Sequence, residues 1–390
     1  MLNTQNDIRT VEDAHTSGAY PKRPLTIIRG EGCTVWDDAG TDYIDATGGQ
    51  GVALLGHSHP AVVDAVTRQA KALITCPEIF YNDRRAELYD LLATVVPGDL
   101  NRYFLCNSGA EAIEGALKVA GILTGRHGIV ATKRGFHGRT LGALSLTWNP
   151  KYREPFQSWQ PDVNHVTYND LASAQEAIDD ETAAVVVEAI QGEGGVHAAS
   201  VDYLRGLREL CDRQGALLVI DEIQTGLGRT GNWFAFQHAG ILPDIVVLGK
   251  GIAGGLPMGV VCWRESLGTI PRGSHGSTFG GNPLSCAAAI AALTTLRDEA
   301  IPERVDETGM WLLDQLRARN LPTVRDVRGR GLMIGLELRG RVTPVLQQMQ
   351  EKGVLALPAG GNVLRLLPPL IIARNQLQTI LQVIQEVLDA

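Results

Sequence analysis

Asp221 and Lys250 are the two side chains of this sequence best placed to do chemistry together. Each follows a short, unbroken apolar run. Residues 216–220 (ALLVI) precede the carboxylate, and residues 245–248 (IVVL) with Gly249 precede the amine. Runs of that length, rich in branched residues, read as buried parallel strands. In an open α/β sheet the carboxyl ends of the strands face a common crevice, so acid and amine should meet there. A carboxylate that holds a ring nitrogen protonated, beside a lysine that condenses with an aldehyde, is what a pyridoxal 5'-phosphate site requires.

Other motifs also follow expected strand ends. Asn107-Ser108-Gly109-Ala110-Glu111-Ala112 comes after residues 103–106 and opens a helix. The free N–H groups of a helix start suit a phosphate, and Ser108 adds a hydroxyl; standing alone, the motif is equally an ordinary N-cap. Gly135-Phe136-His137-Gly138-Arg139-Thr140 sets an aromatic ring and a guanidinium in a loop after residues 129–131. Phe136 suits stacking on a cofactor ring or a place in the core, and Arg139 suits a two-pronged grip on a carboxylate. Glu188-x-x-Gln191-Gly192-Glu193-Gly194-Gly195 follows residues 183–187 and offers either a mobile partner for an active-site arginine or a solvated surface acid. Arg365 lies in Leu364-Arg365-Leu366-Leu367-Pro368-Pro369, an apolar setting where arginine is usually paired or carboxylate-binding.

Two readings are set aside. Gly249-x-Gly251-x-x-Gly254 has the form of a dinucleotide fingerprint, yet residues 269–276 hold no carboxylate where its acidic partner belongs. That counts against a nicotinamide dehydrogenase. His57 and His59 have no third metal ligand nearby and read better as loop and helix-cap residues before Pro60.

The elements that must position these residues have a recognisable rhythm. Between about residues 100 and 283, short apolar runs alternate with helical or glycine-rich segments, the pattern of a doubly wound α/β sheet. Residues 1–30 read as a polar, irregular arm, extended at Tyr20-Pro21-Lys22-Arg23-Pro24. A hairpin is expected around Asp38-Ala39-Gly40, and a loop permitting close backbone approach at Gly48-Gly49-Gln50-Gly51. Residues 285–296 form a helix leading out of the sheet, followed by strands over 329–338 and 363–367 and an amphipathic last helix. The expected division is an N-terminal arm and hairpin (1–55) belonging to the small domain, a large cofactor-binding domain (56–284), and a C-terminal small α+β domain (285–390). A net charge of −8 argues against non-specific nucleic-acid binding. The six cysteines show no paired spacing, so neither a disulfide framework nor a zinc site is indicated. With no secretory signal and no run of membrane-spanning length, the cytoplasm is the expected location.

Taken together, these residues resemble a class III (ornithine-type) aminotransferase, a fold-type-I pyridoxal-phosphate enzyme, over nearly the whole chain from Tyr20 onward. The resemblance implies a large domain with a mostly parallel central sheet flanked by helices, plus a smaller α+β domain. It implies that Lys250 carries the cofactor and then shuttles a proton, that Asp221 pairs with the pyridine nitrogen, and that Gln224 lies near the phenolic oxygen. Phe136 would stack on the ring. Ser108, Gly109 and Ala110 would hold the phosphate, with alanine where many relatives have threonine. Ser277-Thr278, in GSTFGGNP, is similar to a segment that crosses from a second subunit, Thr278 reaching the phosphate and Ser277 the substrate. A homodimer with shared active sites follows from that.

Substrate recognition is implied in the same way. Arg139 would bind a distal carboxylate, Arg365 the α-carboxylate of glutamate, and Glu193 would neutralise one arginine when it is not needed. Glutamate would load the amine, 2-oxoglutarate would leave, and an aldehyde would take the amine in a ping-pong cycle. GFHGRT and the short N-terminus resemble acetylornithine aminotransferases and their lysine-pathway relatives. The stretches Tyr20 to Leu25 and Trp148 to Phe156 instead look like the aminotransferases of lysine biosynthesis, whose aminoadipate semialdehyde rides on a small acidic amino-group carrier protein. For such a partner Lys22, Arg23, Arg84, Arg85, Lys151 and Arg153 would form a docking rim, or else a merely solvated face. N-acetylornithine, alone or in addition, is the alternative substrate. A non-catalytic pyridoxal-binding regulator is disfavoured because Lys250 and Asp221 are both present.

Overall fold

A computed structural model of the chain describes residues 7–389. Its centre is a seven-stranded sheet. Across the sheet the strands run Arg102–Cys106, Gly259–Trp263, Ile245–Leu248, Leu217–Asp221, Thr182–Glu188, Gly128–Thr132 and Asn164–Val166. Gly259–Trp263 is antiparallel to both neighbours, and the remaining pairings are parallel. The apolar runs therefore mark strands, as their composition implies. The edge strand Asn164–Val166 escapes that reading because only its last residue is buried and apolar.

Successive side chains of a strand point to opposite faces, and here both faces are covered. Ala184, Val186, Leu217, Val219, Ile245 and Val247 pack with Ala112, Ile113, Ala116 and Val119 of the helix Gly109–Thr124. Val185, Val187, Leu218, Ile220, Val246 and Leu248 join the larger core on the other side. A strand buried on two sides needs an unbroken apolar run, which is why alternation is missing from these segments.

The helix Pro283–Asp298 packs on Pro60–Ala72 and Asp83–Val95. Beyond it, a four-stranded antiparallel sheet runs in the order Val324–Arg330, Met333–Leu338, Val363–Leu366, Leu357–Ala359. The single strand expected over 329–338 is in fact a hairpin, reversed at Gly331 with φ +53°. The N-terminal strands Ile27–Glu31, Thr34–Asp37 and Asp42–Asp45 form an antiparallel meander, extended by Val354–Leu355. The N-terminal arm expected over 1–30 lies outside the described residues at 1–6; from residue 7 it is less irregular than expected, Ile8–His15 being a helix whose apolar face buries nothing. Gly48 to Gly51 turn with positive φ at all four positions, close under Leu367. His57 Nε2 donates to the Asp45 carboxylate at 2.7 Å, and His59 precedes Pro60 at the helix start. Among the described residues no acid, thiol and imidazole cluster suits a metal, and no helix is long and apolar enough to cross a membrane.

Candidate active site

The carboxyl ends of three adjacent strands open into a cavity of about 210 Å³. Asp221 ends one strand, and its register partner on the next is Glu188. Register partners in a sheet project to the same face, so two carboxylates lie side by side at the cavity floor. Lys250 lies just beyond the third strand, in a short 3-10 turn with φ +45°. Gly109, Ala110, Phe136, His137, Gly138, Glu193, Ile223 and Gln224 complete the lining.

Asp221 is nearly fully buried and its oxygens are held separately. Oδ1 accepts the Ile223 N–H at 3.0 Å, and Oδ2 lies 2.7 Å from His137 Nδ1. Burial works against a charged His137. The hydrogen bond and charge of Asp221, with Glu188 adding to them, nonetheless hold its pKa above the ordinary value. Glu188 is pushed up to about 7, by burial first and by Asp221 as well. Its oxygens accept the N–H groups of Phe136 (2.9 Å) and Gly192 (3.1 Å). Lys250 is pulled below its ordinary value by burial, with Arg365 adding to the effect against Asp221, Glu193 and Glu188. A lysine of depressed pKa keeps more free amine at neutral pH, the form that attacks carbonyls.

At the other end, Ser108 caps the helix Gly109–Thr124, its hydroxyl accepting the Glu111 N–H at 3.1 Å. The helix start is crowded: a side chain at Gly249 would strike Gly109, and one at Gly138 would strike Ala110. The helix start, with Gly109 and Ala110 in the cavity lining, is therefore held in a fixed position. Phe136 meets Tyr152 edge-on at 6.3 Å, and the Arg139 guanidinium lies 3.6 Å over the Tyr152 ring, exposed at the cavity rim.

Across the cavity, Arg365 is buried within the small sheet and donates to Gln224 Oε1 at 3.1 Å. It also pairs with Glu193 Oε1 at 2.6 Å, and its Nε is buried without a partner. Glu193, not Glu188, is thus the loop acid that reaches an arginine. Ser108, Arg139, Arg365, Ser277 and Thr278 do not line this cavity; Arg365 lies one contact behind its lining residues Gln224 and Glu193. Ser277 Oγ accepts from Asn107 Nδ2 at 3.1 Å, next to the helix cap, while Thr278 is exposed beside Phe279.

The chain matches the family Aminotransferase class-III over residues 16–388. It belongs to that family. Its sequence is 46% identical to the acetylornithine aminotransferase of Methanopyrus kandleri over 387 residues, covering 98% of this chain and 99% of the relative. It is also 46% identical to the [LysW]-aminoadipate semialdehyde transaminase of Deinococcus radiodurans over 393 residues, covering 99% and 92%. Among solved structures, the ornithine aminotransferase of Toxoplasma gondii superposes with a TM-score of 0.93 at 34% identity, covering 100% of this chain and 95% of the other. This aminotransferase uses pyridoxal phosphate, as its class does.

The residues present fit that group. The cavity joins a helix start for the phosphate, an aromatic wall, a buried carboxylate and an amine of lowered pKa. Buried His137 Nε2 and Arg365 Nε lack partners, as polar atoms do where a bound molecule or water completes a site. Sequence reasoning gave His137 no role, and it named Glu188 only at the head of the glycine-rich loop motif, not as the neighbour of Asp221. Glu188 carries the signal that singled out Asp221, an acid closing a buried apolar run; His137 sat between Phe136 and Arg139 in the motif already chosen.

Proposed function

We propose that this aminotransferase passes an amino group between glutamate/2-oxoglutarate and the terminal aldehyde of aminoadipate semialdehyde held on a small acidic amino-group carrier protein. The cofactor's ring supplies an electron sink when a substrate C–H proton departs. Asp221 holds the ring nitrogen protonated, and His137 and the Ile223 N–H keep its two oxygens in place. Lys250 Nζ would hold the cofactor's aldehyde, and the same amine, kept partly free by burial, is the base that would take and return the substrate proton. Ser108, Gly109 and Ala110 would hold the phosphate, Phe136 would pack on the ring, and Gln224 would serve its phenolic oxygen. Arg365 receives the α-carboxylate of glutamate after Glu193 swings away, and Arg139 a distal carboxylate. Thr278 and Ser277 serve a second copy of the chain. The exposed apolar side chains Ile79, Phe80, Tyr81 and Phe279 beside them support a homodimer.

The observation that carries the carrier reading is the cationic rim around Arg139, and it is narrower than the sequence suggested. Lys22 is neutralised by Glu12 and Asp13, and Arg84 by Asp83 and Glu87. Arg23 is tied to the Ala356 carbonyl, while buried Arg85 serves the carbonyls of Cys76, Phe80 and Gly281. Arg139, Lys151 and Arg153 make no ion pair with a carboxylate among the described residues; Arg139 and Lys151 are exposed, Arg139 lying over Tyr152, whose ring meets Phe136 of the cavity lining, while Arg153 is half-buried with its Nε inside. Relatives named for both substrates are equally similar, so N-acetylornithine stands as the second reading. The test compares the carrier-linked amine with free N-acetylornithine for the native enzyme and Lys151→Glu/Arg153→Glu. Preference for the carrier form, lost about tenfold on charge reversal and with added salt, supports the proposal. Preference for the free amino acid with no effect of reversal overturns it.

A further inference from the structure

Glu193 sits at the tip of a small hairpin, Ile190–Gln191 paired with His197–Ala198, and the way that tip is seated has its own chemistry. In the small sheet Arg328, Gly335 and Arg365 are register partners across three neighbouring strands. All three therefore face the same way, as a row of two arginines with a gap between them. Val196, fully buried, fills the gap: a Cβ on Gly335 would lie 2.9 Å from the Val196 Cβ. The hairpin tip thus lies along the row and is gripped at both ends. At one end Arg365 holds the Glu193 carboxylate. At the other, Arg328 donates from Nε (2.9 Å) and Nη2 (2.7 Å) to the Gly195 carbonyl. Its Nη1 is anchored on Glu337 (2.7 Å) and Asp326 (2.9 Å). Gly195 has φ +116°, a conformation that side chains resist, so the grip falls where the chain turns.

We propose that Arg328 is a positioning residue for substrate selection: its fork on Gly195 fixes the hairpin backbone so that only the Glu193 side chain moves on and off Arg365. The two grips differ in kind. The Arg365 contact is between one half-exposed carboxylate and one arginine nitrogen, and an incoming α-carboxylate replaces it. The Arg328 contact is a forked bond to a backbone carbonyl, which no substrate carboxylate competes for. With Arg328 in place, covering Arg365 requires ordering one side chain. Without it, the loop must be ordered too, and the covered state loses ground. Glutamate, which needs Arg365 uncovered, is spared that loss. The terminal-amine substrate, which leaves Arg365 unused, bears it.

The inference rests on Glu193 being the mobile cover of Arg365, and the test separates the two ideas. Native enzyme, Arg328→Ala, Arg328→Lys, Glu193→Ala and Glu193→Ala/Arg328→Ala are compared by kcat/KM for glutamate and for N-acetylornithine as the amine probe. Hydrogen exchange of the 190–198 segment is followed in parallel. Arg328→Ala is expected to shift the ratio toward glutamate by roughly fivefold, the low end of couplings between linked sites. Segment exchange should rise, Arg328→Lys should restore only part of both, and the shift should vanish in the Glu193→Ala background. Equal loss for both substrates, or the same shift without Glu193, overturns the role of Arg328. If Arg328→Ala fails to fold, the same outcomes are read from Arg328→Lys. An unchanged ratio in Glu193→Ala alone refutes the mobile cover instead.

Discussion

The two walls of the cavity are built on opposite plans. The large-sheet wall is locked: Asp221 is 4% exposed with both oxygens occupied, and Glu188 accepts two backbone N–H groups. The small-sheet wall is poised. Arg365 is 3% exposed, yet its charge is balanced by a Glu193 side chain that is 40% exposed and free to leave. A buried charge with a removable partner costs little while covered and binds strongly when a substrate carboxylate replaces the cover. The comparison teaches a division of labour. The two acids at the strand ends are fixed in place by backbone donors and a buried imidazole; the arginine that, on the proposed function, meets two kinds of substrate is covered by a side chain on a glycine-rich tip.

The most damaging way to break this arrangement acts on neither wall but on the amine between them. Lys250→Ala should reduce turnover by on the order of 10⁴-fold or more, since on the proposed function the same atom would attach the cofactor and move the proton. Borohydride trapping at position 250 should fail in the variant and succeed in the native chain. Next comes the locked wall. Asp221→Asn should cost about 10²- to 10³-fold in kcat for glutamate and for the amine substrate alike, because a fixed charge facing the reacting ring is lost from both half-reactions. Unequal losses would contradict the division of labour. On the poised wall the pattern should reverse. Arg365→Lys keeps the charge but not the fork, and should raise KM for glutamate about tenfold while leaving the terminal-amine half-reaction nearly unchanged. Parallel steady-state assays of both half-reactions decide between the patterns.

The locked wall was also the more legible one. Asp221 and Lys250 were visible because a strand buried on both faces is an unbroken apolar run, and a charge closing such a run stands out. The poised wall depends on strand register, which the sequence states weakly. The segment 329–338 reads as one strand because its glycines look like interruptions, whereas Gly331 reverses the chain and Gly335 makes room for Val196. Without that register, Arg328 is one more basic residue and its alignment with Arg365 is invisible. The rim shows the same limit for charge. Arg85 and Lys151 look alike in the sequence, but one is consumed by three backbone carbonyls and the other faces solvent. His137 was missed for the opposite reason: nothing in a loop sequence says that its ring turns inward to a carboxylate 84 positions away.

That histidine gives the finest test of the locked wall. Its proton is held more tightly in the folded chain than in the unfolded one. Stabilisation from such a group is complete below the unfolded pKa of about 6.5 and is lost as pH rises through the higher folded value. In protein freed of cofactor, His137→Gln should therefore lower Tm most near pH 6, by about 3 °C for the loss of one charge-assisted hydrogen bond. The deficit should shrink as the pH is raised and the native imidazole itself gives up its proton. Calorimetric scans of both proteins across that range provide the measurement. A deficit that stays constant would mean that the ring acts as a neutral donor to Asp221 throughout, and the wall would then be held by geometry without a charged pair.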